Sequence, residues 1–372
     1  MSSSAAVSPL SLPPLSAIIL AAGEGSRMRS ERPKPLHRLC GRPMLMYVLD
    51  SLAEARPQVA VIVVGHKGDW VTKKVQEHAQ NIAVEFVEQQ VQRGTGDATQ
   101  VGLVGLEDDS EEEDVLVLPG DAPLLRPGTI AQLVEQHRSS GAAATMLSAV
   151  IDDPTGYGRV LRGKDDRVAR IVEQRDATEE ELLVQEVNTS IYVFRRSLLA
   201  PALRRIEPDN SQGEYYLTDV VGVLNSAGHR VEAVVVADAA EVQGINDRAQ
   251  LAAAEAELRR RTNEGLLRSG VTMVDPSAVY VDTTVFVGTD VTLFPGVILQ
   301  GSTVIGSGSE IGPNTRLVDT VVGDGSLVQA STAVNALIGD RCVVGPYASL
   351  GPGDQLASDS VTGPFYNGSS EL

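Results

Sequence analysis

Residues 20–28 read Leu-Ala-Ala-Gly-Glu-Gly-Ser-Arg-Met, and Lys34-Pro35 follows. Glycines at 23 and 25 would let successive backbone N–H groups converge on an anion without interference from a Cβ. Arg27 and Lys34 add positive charge at the same place. A triphosphate needs such a set, because its charge must be met by many donors at short range. Two other motifs can be compared with it. A dinucleotide-binding fingerprint wants a third glycine where Met28 stands, and a P-loop wants Gly-Lys-Ser/Thr, which is missing. An ordinary glycine-rich turn between strand and helix would use the same glycines, so the loop by itself leaves that alternative open.

The elements that would position this loop can be read from hydrophobic period. Strand-like runs fall at 17–20, 59–64, 83–87, 115–118, 144–150 and 231–236, with amphipathic candidates at 43–54, 68–78 and 129–138 between them. Strand–helix alternation of this kind predicts a mostly parallel sheet with helices on both faces. Ligands of such sheets bind outside the carboxyl ends of the strands. Residues 246–270 are rich in Ala, Leu, Glu and Arg and predict one connecting helix, with Asn246 or Asp247 at its start and Gly270 at its end.

Beyond Asp275 the period changes. Aliphatic residues stand at Val281, Val287, Leu293, Leu299, Ile305, Ile311 and Leu317, resume at Val322, Val328 and Val334, and again at Ile338, Val344, Leu350 and Leu356. A six-residue repeat of aliphatic and small residues is the mark of a parallel β-helix, each aliphatic side chain pointing into a stacked core. The organisation expected is a disordered leader at 1–14, an α/β domain at 15–245, the helix at 246–270, a β-helix at 271–356 and an irregular tail at 357–372.

Composition bounds the function. The 372 residues carry a formal net charge of −18, which argues against nucleic acid or an anionic membrane surface as partner. No apolar run approaches the roughly 20 residues that span a bilayer. Met1 to Pro14 lacks the basic flank of a signal peptide. Cys40 and Cys342 lie far apart in sequence, so a disulfide or cysteine metal site is not expected, which suits a reducing cytoplasm. His37, His66, His78, His137 and His229 show no metal-ligand spacing and read as surface or packing residues.

Further along stand Gln89, Gly94-Thr95-Gly96, Gly120-Asp121, Gly156-Tyr157-Gly158, Ile171-Val-Glu173, Glu186-Val-Asn188-Thr189, the run Gly-Glu-Tyr-Tyr-Leu-Thr-Asp at 213–219, and Gly244-Ile-Asn246. In that order, behind the opening loop and ahead of the repeats, they resemble the bifunctional N-acetylglucosamine-1-phosphate uridylyltransferase/glucosamine-1-phosphate acetyltransferase family. The resemblance runs from about Leu15 to Gly353. It implies a Rossmann-like nucleotidyltransferase fold followed by a left-handed parallel β-helix of hexapeptide repeats. It also implies that Leu20, Ala22 and Gly23 hold the nucleotide while Gln89, Gly94 and Thr95 read its base. Arg27 and Lys34 would neutralise phosphates, Asp121 and Asn246 would hold Mg²⁺, and Gly158, Glu173, Asn188 and Thr218 would hold the sugar phosphate. The substrates implied are UTP and a hexosamine 1-phosphate, and the family's β-helix implies a homo-oligomer, with a trimer as its form. Taken one at a time, Asp121 could simply cap a turn, Asn246 could cap the long helix, and Glu173 and Lys34 could be solvated charges. The reading as a site rests on their occurring together.

The sequence departs from that family in places. No histidine follows His229, so the general base that acetyl transfer needs is missing from the repeats. From Asp275 onward there is no lysine, and the arginines there are Arg316 and Arg341. Where the family reads Arg-Pro-Gly this chain reads Gly351-Pro352-Gly353, and it stops where the remaining coils would begin. Loss of the acetyltransferase is therefore expected. In the first domain, Ser190 replaces a glycine, Asp97 replaces a histidine, and Pro119 precedes Gly120-Asp121. The leading expectation is Mg²⁺-dependent transfer of UMP from UTP to N-acetylglucosamine 1-phosphate. A different sugar 1-phosphate, or a non-catalytic regulatory or scaffold subunit, are the alternatives.

Overall fold

The run Leu-Ser-Ala-Ile-Ile-Leu-Ala is apolar on both sides of a strand, and a strand of that kind is stable only between two layers. In the structure, a computed structural model describing residues 13–65, 67–77, 82–106, 113–163 and 166–368, it forms strand Leu15–Ala21. It pairs in parallel with Ala60–Val64 on one side and Asp114–Pro119 on the other. The sheet continues through Val84–Glu88 beyond Ala60–Val64. On the other side come Glu186–Arg195, Ala144–Val150 and Val231–Val235. Helices cover both faces, and the buried residues form two clusters, one centred on Ile19, Ile62 and Leu116 and the other on Ile18, Val61 and Val117. The alternation of Ile18 and Ile19 between clusters is the period-two geometry of a strand buried on both faces.

The expected strands are all present, and one more was not read from the sequence. Glu186–Arg195 runs antiparallel to both of its neighbours inside the sheet. Its middle carries Asn188, Thr189 and Ser190, and the polar run hides the apolar pattern that identifies a buried strand. A second addition is the hairpin of Arg159–Arg162 and Val168–Val172, attached through Arg159 and Val187.

The structure divides into two units. One holds the described residues up to His37 with Met44–Arg248, and the other holds Arg38–Pro43 with the chain from Ala249 onward. Helix Arg248–Arg268 leads into the second unit, where Asn263 Nδ2 donates to the carbonyls of Pro276 and Val279 at 2.8 and 3.0 Å. Gly270 follows with φ +99°, a conformation that suits glycine at a helix end.

The repeats form a left-handed parallel β-helix whose short strands stack into three five-stranded sheets. Val281, Leu299 and Leu317 point inward on one sheet, and Leu293, Ile311 and Val328 on another, all of them buried. The coils are so close at their corners that a Cβ on Gly306 would lie 2.5 Å from the Gly323 carbonyl carbon. One position of the sequence register is corrected. Ala333, not Val334, stacks on Leu317 and fills the core, so the irregularity is spread over shortened steps on either side of it. The stretch from 357 was expected to be irregular. Instead, Val361 and Asn367 bridge in parallel to Val343 and Ser349 and continue the ladder.

Cys40 and Cys342 are both buried, and neither is part of a disulfide. His37 and His137 are buried packing residues and His229 is exposed, while His66 and His78 lie outside the described residues. The leader, except for Pro13 and Pro14, and residues 369–372 of the tail lie outside them as well. Among the described residues no helix is long and apolar enough to cross a membrane.

Candidate functional site

The first and fourth strand-like runs end side by side, because Gly120 N–H donates to the Leu20 carbonyl at 2.9 Å. The loop after Leu15–Ala21 and the residue after Asp114–Pro119 therefore open at the same carboxyl edge of the sheet. That places Asp121 beside the glycine-rich loop. Ile245 N–H donates to the Asp121 carbonyl at 2.9 Å and so brings Asn246 to the same point. Gly25 sits at φ +63°, and a Cβ there would lie 2.7 Å from Lys34 Cβ, so only glycine lets the lysine stem pass.

Four polar groups meet as a result. Lys34 Nζ donates to the Asp121 carboxylate and, at 3.0 Å, to Asn246 Oδ1. Arg27 Nη2 donates to the same Asn246 oxygen at 2.9 Å. The lysine ammonium thus occupies the point on which one carboxylate and one amide oxygen converge. A hard divalent cation that keeps waters and substrate phosphates as its other ligands fits that donor set. Among the described residues no group of three or more His, Cys, Asp or Glu could hold a metal without such help.

A cavity of about 420 Å³ opens from this cluster along the sheet edge. It is lined by every residue to which the resemblance gives a role except Arg27 and Thr218. Arg27 reaches the site through Asn246, and Thr218 stands behind Glu173, donating to its Oε1 at 3.2 Å. At one end lie Gln89, Gly94 and Thr95. The turn carrying them is held by the 213–219 segment: Gly96 N–H donates to the Tyr215 carbonyl at 2.8 Å and Leu217 N–H to Thr95 Oγ1 at 3.0 Å. Gln92 was not anticipated. Its side chain donates to the Ala22 carbonyl and lines the cavity, and nothing in the polar run around it marks it out.

At the other end Gly158, Glu173, Asn188 and Ser190 gather. The Asn188 amide oxygen receives Ser190 N–H at 3.0 Å and the Tyr192 hydroxyl at 2.8 Å. A backbone N–H can only donate, so the atom facing it is the oxygen, and Nδ2 is the amide's free donor. Ser190 adopts φ +61°, and the pairing with Ala144–Val150 slips between Asn188 and Ile191. Glycine suits this left-handed bulge, and serine carries its side chain there at a conformational cost. Burial pushes the Glu173 carboxyl above the usual glutamate range, against the hydrogen bond from Thr218, and the nearby Asp219 and Asp176 add to the rise. Burial also raises the Tyr192 phenol well above its ordinary value, so it remains a neutral donor.

Comparison with known proteins places the chain among relatives. Residues 17–220 match the family model of the MobA-like NTP transferase domain. The chain is 44% identical over 349 residues to the bifunctional protein GlmU of Heliobacterium modesticaldum, a match covering 94% of this chain and 75% of that one. It is 45% identical over 356 residues to the bifunctional protein GlmU of Pseudarthrobacter chlorophenolicus, covering 95% and 72%. The corresponding protein of Streptomyces coelicolor is 44% identical over 353 residues, covering 95% and 73%.

Proposed function

Because this chain belongs to the family of the bifunctional GlmU proteins and carries its nucleotidyltransferase domain, we propose that it transfers UMP from UTP to N-acetylglucosamine 1-phosphate. The products are UDP-N-acetylglucosamine and pyrophosphate, a precursor for cell-wall peptidoglycan and its by-product, made in the cytoplasm. The observation that carries this reading is the convergence of Lys34, Arg27, Asp121 and Asn246 beside a cavity of about 420 Å³.

Both reactants are anions, so the barrier lies in bringing the sugar phosphate oxygen in line with the α-phosphorus. No covalent intermediate on the protein is needed, and positioning with charge neutralisation supplies the catalysis. Leu20, Ala22 and Gly23 bind the nucleotide, and Gln89, Gly94 and Thr95 meet the base. Arg27 and Lys34 take the phosphates. Gly158, Glu173, Asn188 and Thr218 serve the sugar phosphate, with Asn188 Nδ2 offering a donor and Glu173 an acceptor. Asp121 and Asn246 hold Mg²⁺, which when bound neutralises phosphate charge. Lys34 must then leave their oxygens for the phosphates, which its flexible stem allows.

We assign no acetyl transfer to the repeats. After His229 the sequence offers no histidine as general base, and the coils carry no lysine for the phosphates of a coenzyme A. The β-helix is proposed instead as an oligomerisation element, with a trimer as the expected form. A panel of sugar 1-phosphates in thermal-shift measurements with UTP and Mg²⁺ tests the substrate: N-acetylglucosamine 1-phosphate should give the largest rise in Tm. A larger rise with glucose 1-phosphate would reassign the sugar, and Ser190 in the sugar end of the cavity is the feature that favours this second reading.

A further inference from the structure

Gln89 lines the cavity with only 5% of its surface exposed. Its Nε2 donates to Asp97 Oδ2 at 2.7 Å and to the Gly94 carbonyl at 3.3 Å. A carbonyl oxygen only accepts, and so does a carboxylate at neutral pH, so the atom between them must be the amide nitrogen. The amide oxygen is left as the group Gln89 offers to a ligand. The two acceptors hold that orientation together, one from the backbone turn and one from the first turn of helix Thr95–Val104.

Pyrimidine bases differ at the ring position that such an oxygen would meet. Uracil carries an N–H at N3, and cytosine carries a lone pair there. An acceptor facing the first makes a hydrogen bond, and an acceptor facing the second leaves two lone pairs opposed and a buried amide unsatisfied. We propose that Asp97 is a positioning residue for base selection: it holds Gln89 with its oxygen toward the base and so sets the preference for a uracil nucleotide over a cytosine one. The proposal rests on the reading that this cavity takes a pyrimidine nucleoside triphosphate.

Removing the acceptor from Asp97 frees the Gln89 amide to turn, with Gly94 alone opposing it. The test is kcat/KM for UTP and for CTP with one sugar phosphate, in the full-length protein, Asp97→Asn, Asp97→Ala and Gln89→Ala. The expected result is a UTP-over-CTP ratio at least 10-fold lower in Asp97→Ala and near the wild-type value in Asp97→Asn, whose amide oxygen still accepts from Gln89 Nε2, with KM for the sugar phosphate unchanged. In the Gln89→Ala background, Asp97→Ala should move the ratio no further. In Asp97→Ala, an unchanged ratio, an equal loss for both nucleotides, or full additivity with Gln89→Ala would overturn the proposal. Unaltered Tm values separate these outcomes from misfolding. If the wild-type chain turns over neither nucleotide, the proposed function fails. The ratio of UTP to CTP dissociation constants from calorimetry then decides the role of Asp97, and binding of neither nucleotide overturns both.

Discussion

Tyr192 donates its phenolic proton to the side-chain oxygen of Asn188 at 2.8 Å, from a position sealed inside the sheet. The phenol never reaches the cavity, and yet it helps to decide which atom of Asn188 does. Strand Glu186–Arg195 supplies both residues, so the sheet itself sets the end of the cavity proposed for the sugar phosphate.

Tyr192→Phe removes that bond and leaves the ring packing on Phe194 in place. Loss of about 1 kcal/mol of orientation corresponds to a several-fold effect. KM for the sugar phosphate should rise about 5-fold, while kcat and KM for UTP hold. Initial-rate kinetics with each substrate varied in turn measure this split.

Ser190→Gly should stabilise the fold, because a non-glycine residue at φ +61° costs on the order of 1 kcal/mol. The gain expected in Tm is roughly 2–4 °C. The same change widens the end of the cavity proposed for the sugar phosphate, and kcat/KM should shift toward the N-acetylated sugar phosphate over glucose 1-phosphate. Thermal melts and a two-substrate comparison read the two effects separately.

Glu173 makes one contribution to the pH dependence of stability. Its folded carboxyl binds a proton more tightly than the unfolded one, so its contribution to stability falls as pH rises from the ordinary glutamate value to the raised one. Glu173→Gln should therefore gain Tm relative to the wild type across that window and keep the gain at neutral pH, with no gain below it. The same variant should lose affinity for the sugar phosphate. Melts over a pH series together with sugar phosphate KM values check both signs.

Lys34 donates to the Asp121 and Asn246 oxygens that are proposed to hold a divalent cation. Lys34→Met should lower the Mg²⁺ concentration needed for half-maximal rate, while kcat falls on the order of 100-fold because a phosphate contact is gone. An unchanged metal requirement would show that the two cations do not compete.

Much of this was legible in the sequence because the signals are local. The period of two in Ile18 and Ile19 and the period of six from Val281 to Leu317 each report burial directly. Where the pattern carries a competing demand, the reading slips. Polar Asn188 and Ser190 interrupt the strand that holds them, and small Ala333 was passed over for its larger neighbour Val334. The site residues could be gathered because their motifs are short and ordered along the chain. Gln92, and the orientations of Gln89 and Asn188, depend on contacts with distant or differently folded neighbours, and no spacing rule encodes those.

Pyrophosphate release tests the central claim most directly. The purified chain with UTP, Mg²⁺ and N-acetylglucosamine 1-phosphate should release pyrophosphate, and Asp121→Ala should slow this by about 100-fold or more. Absence of release by the wild-type chain with any hexosamine 1-phosphate, or equal rates in the Asp121 variant, would contradict the account.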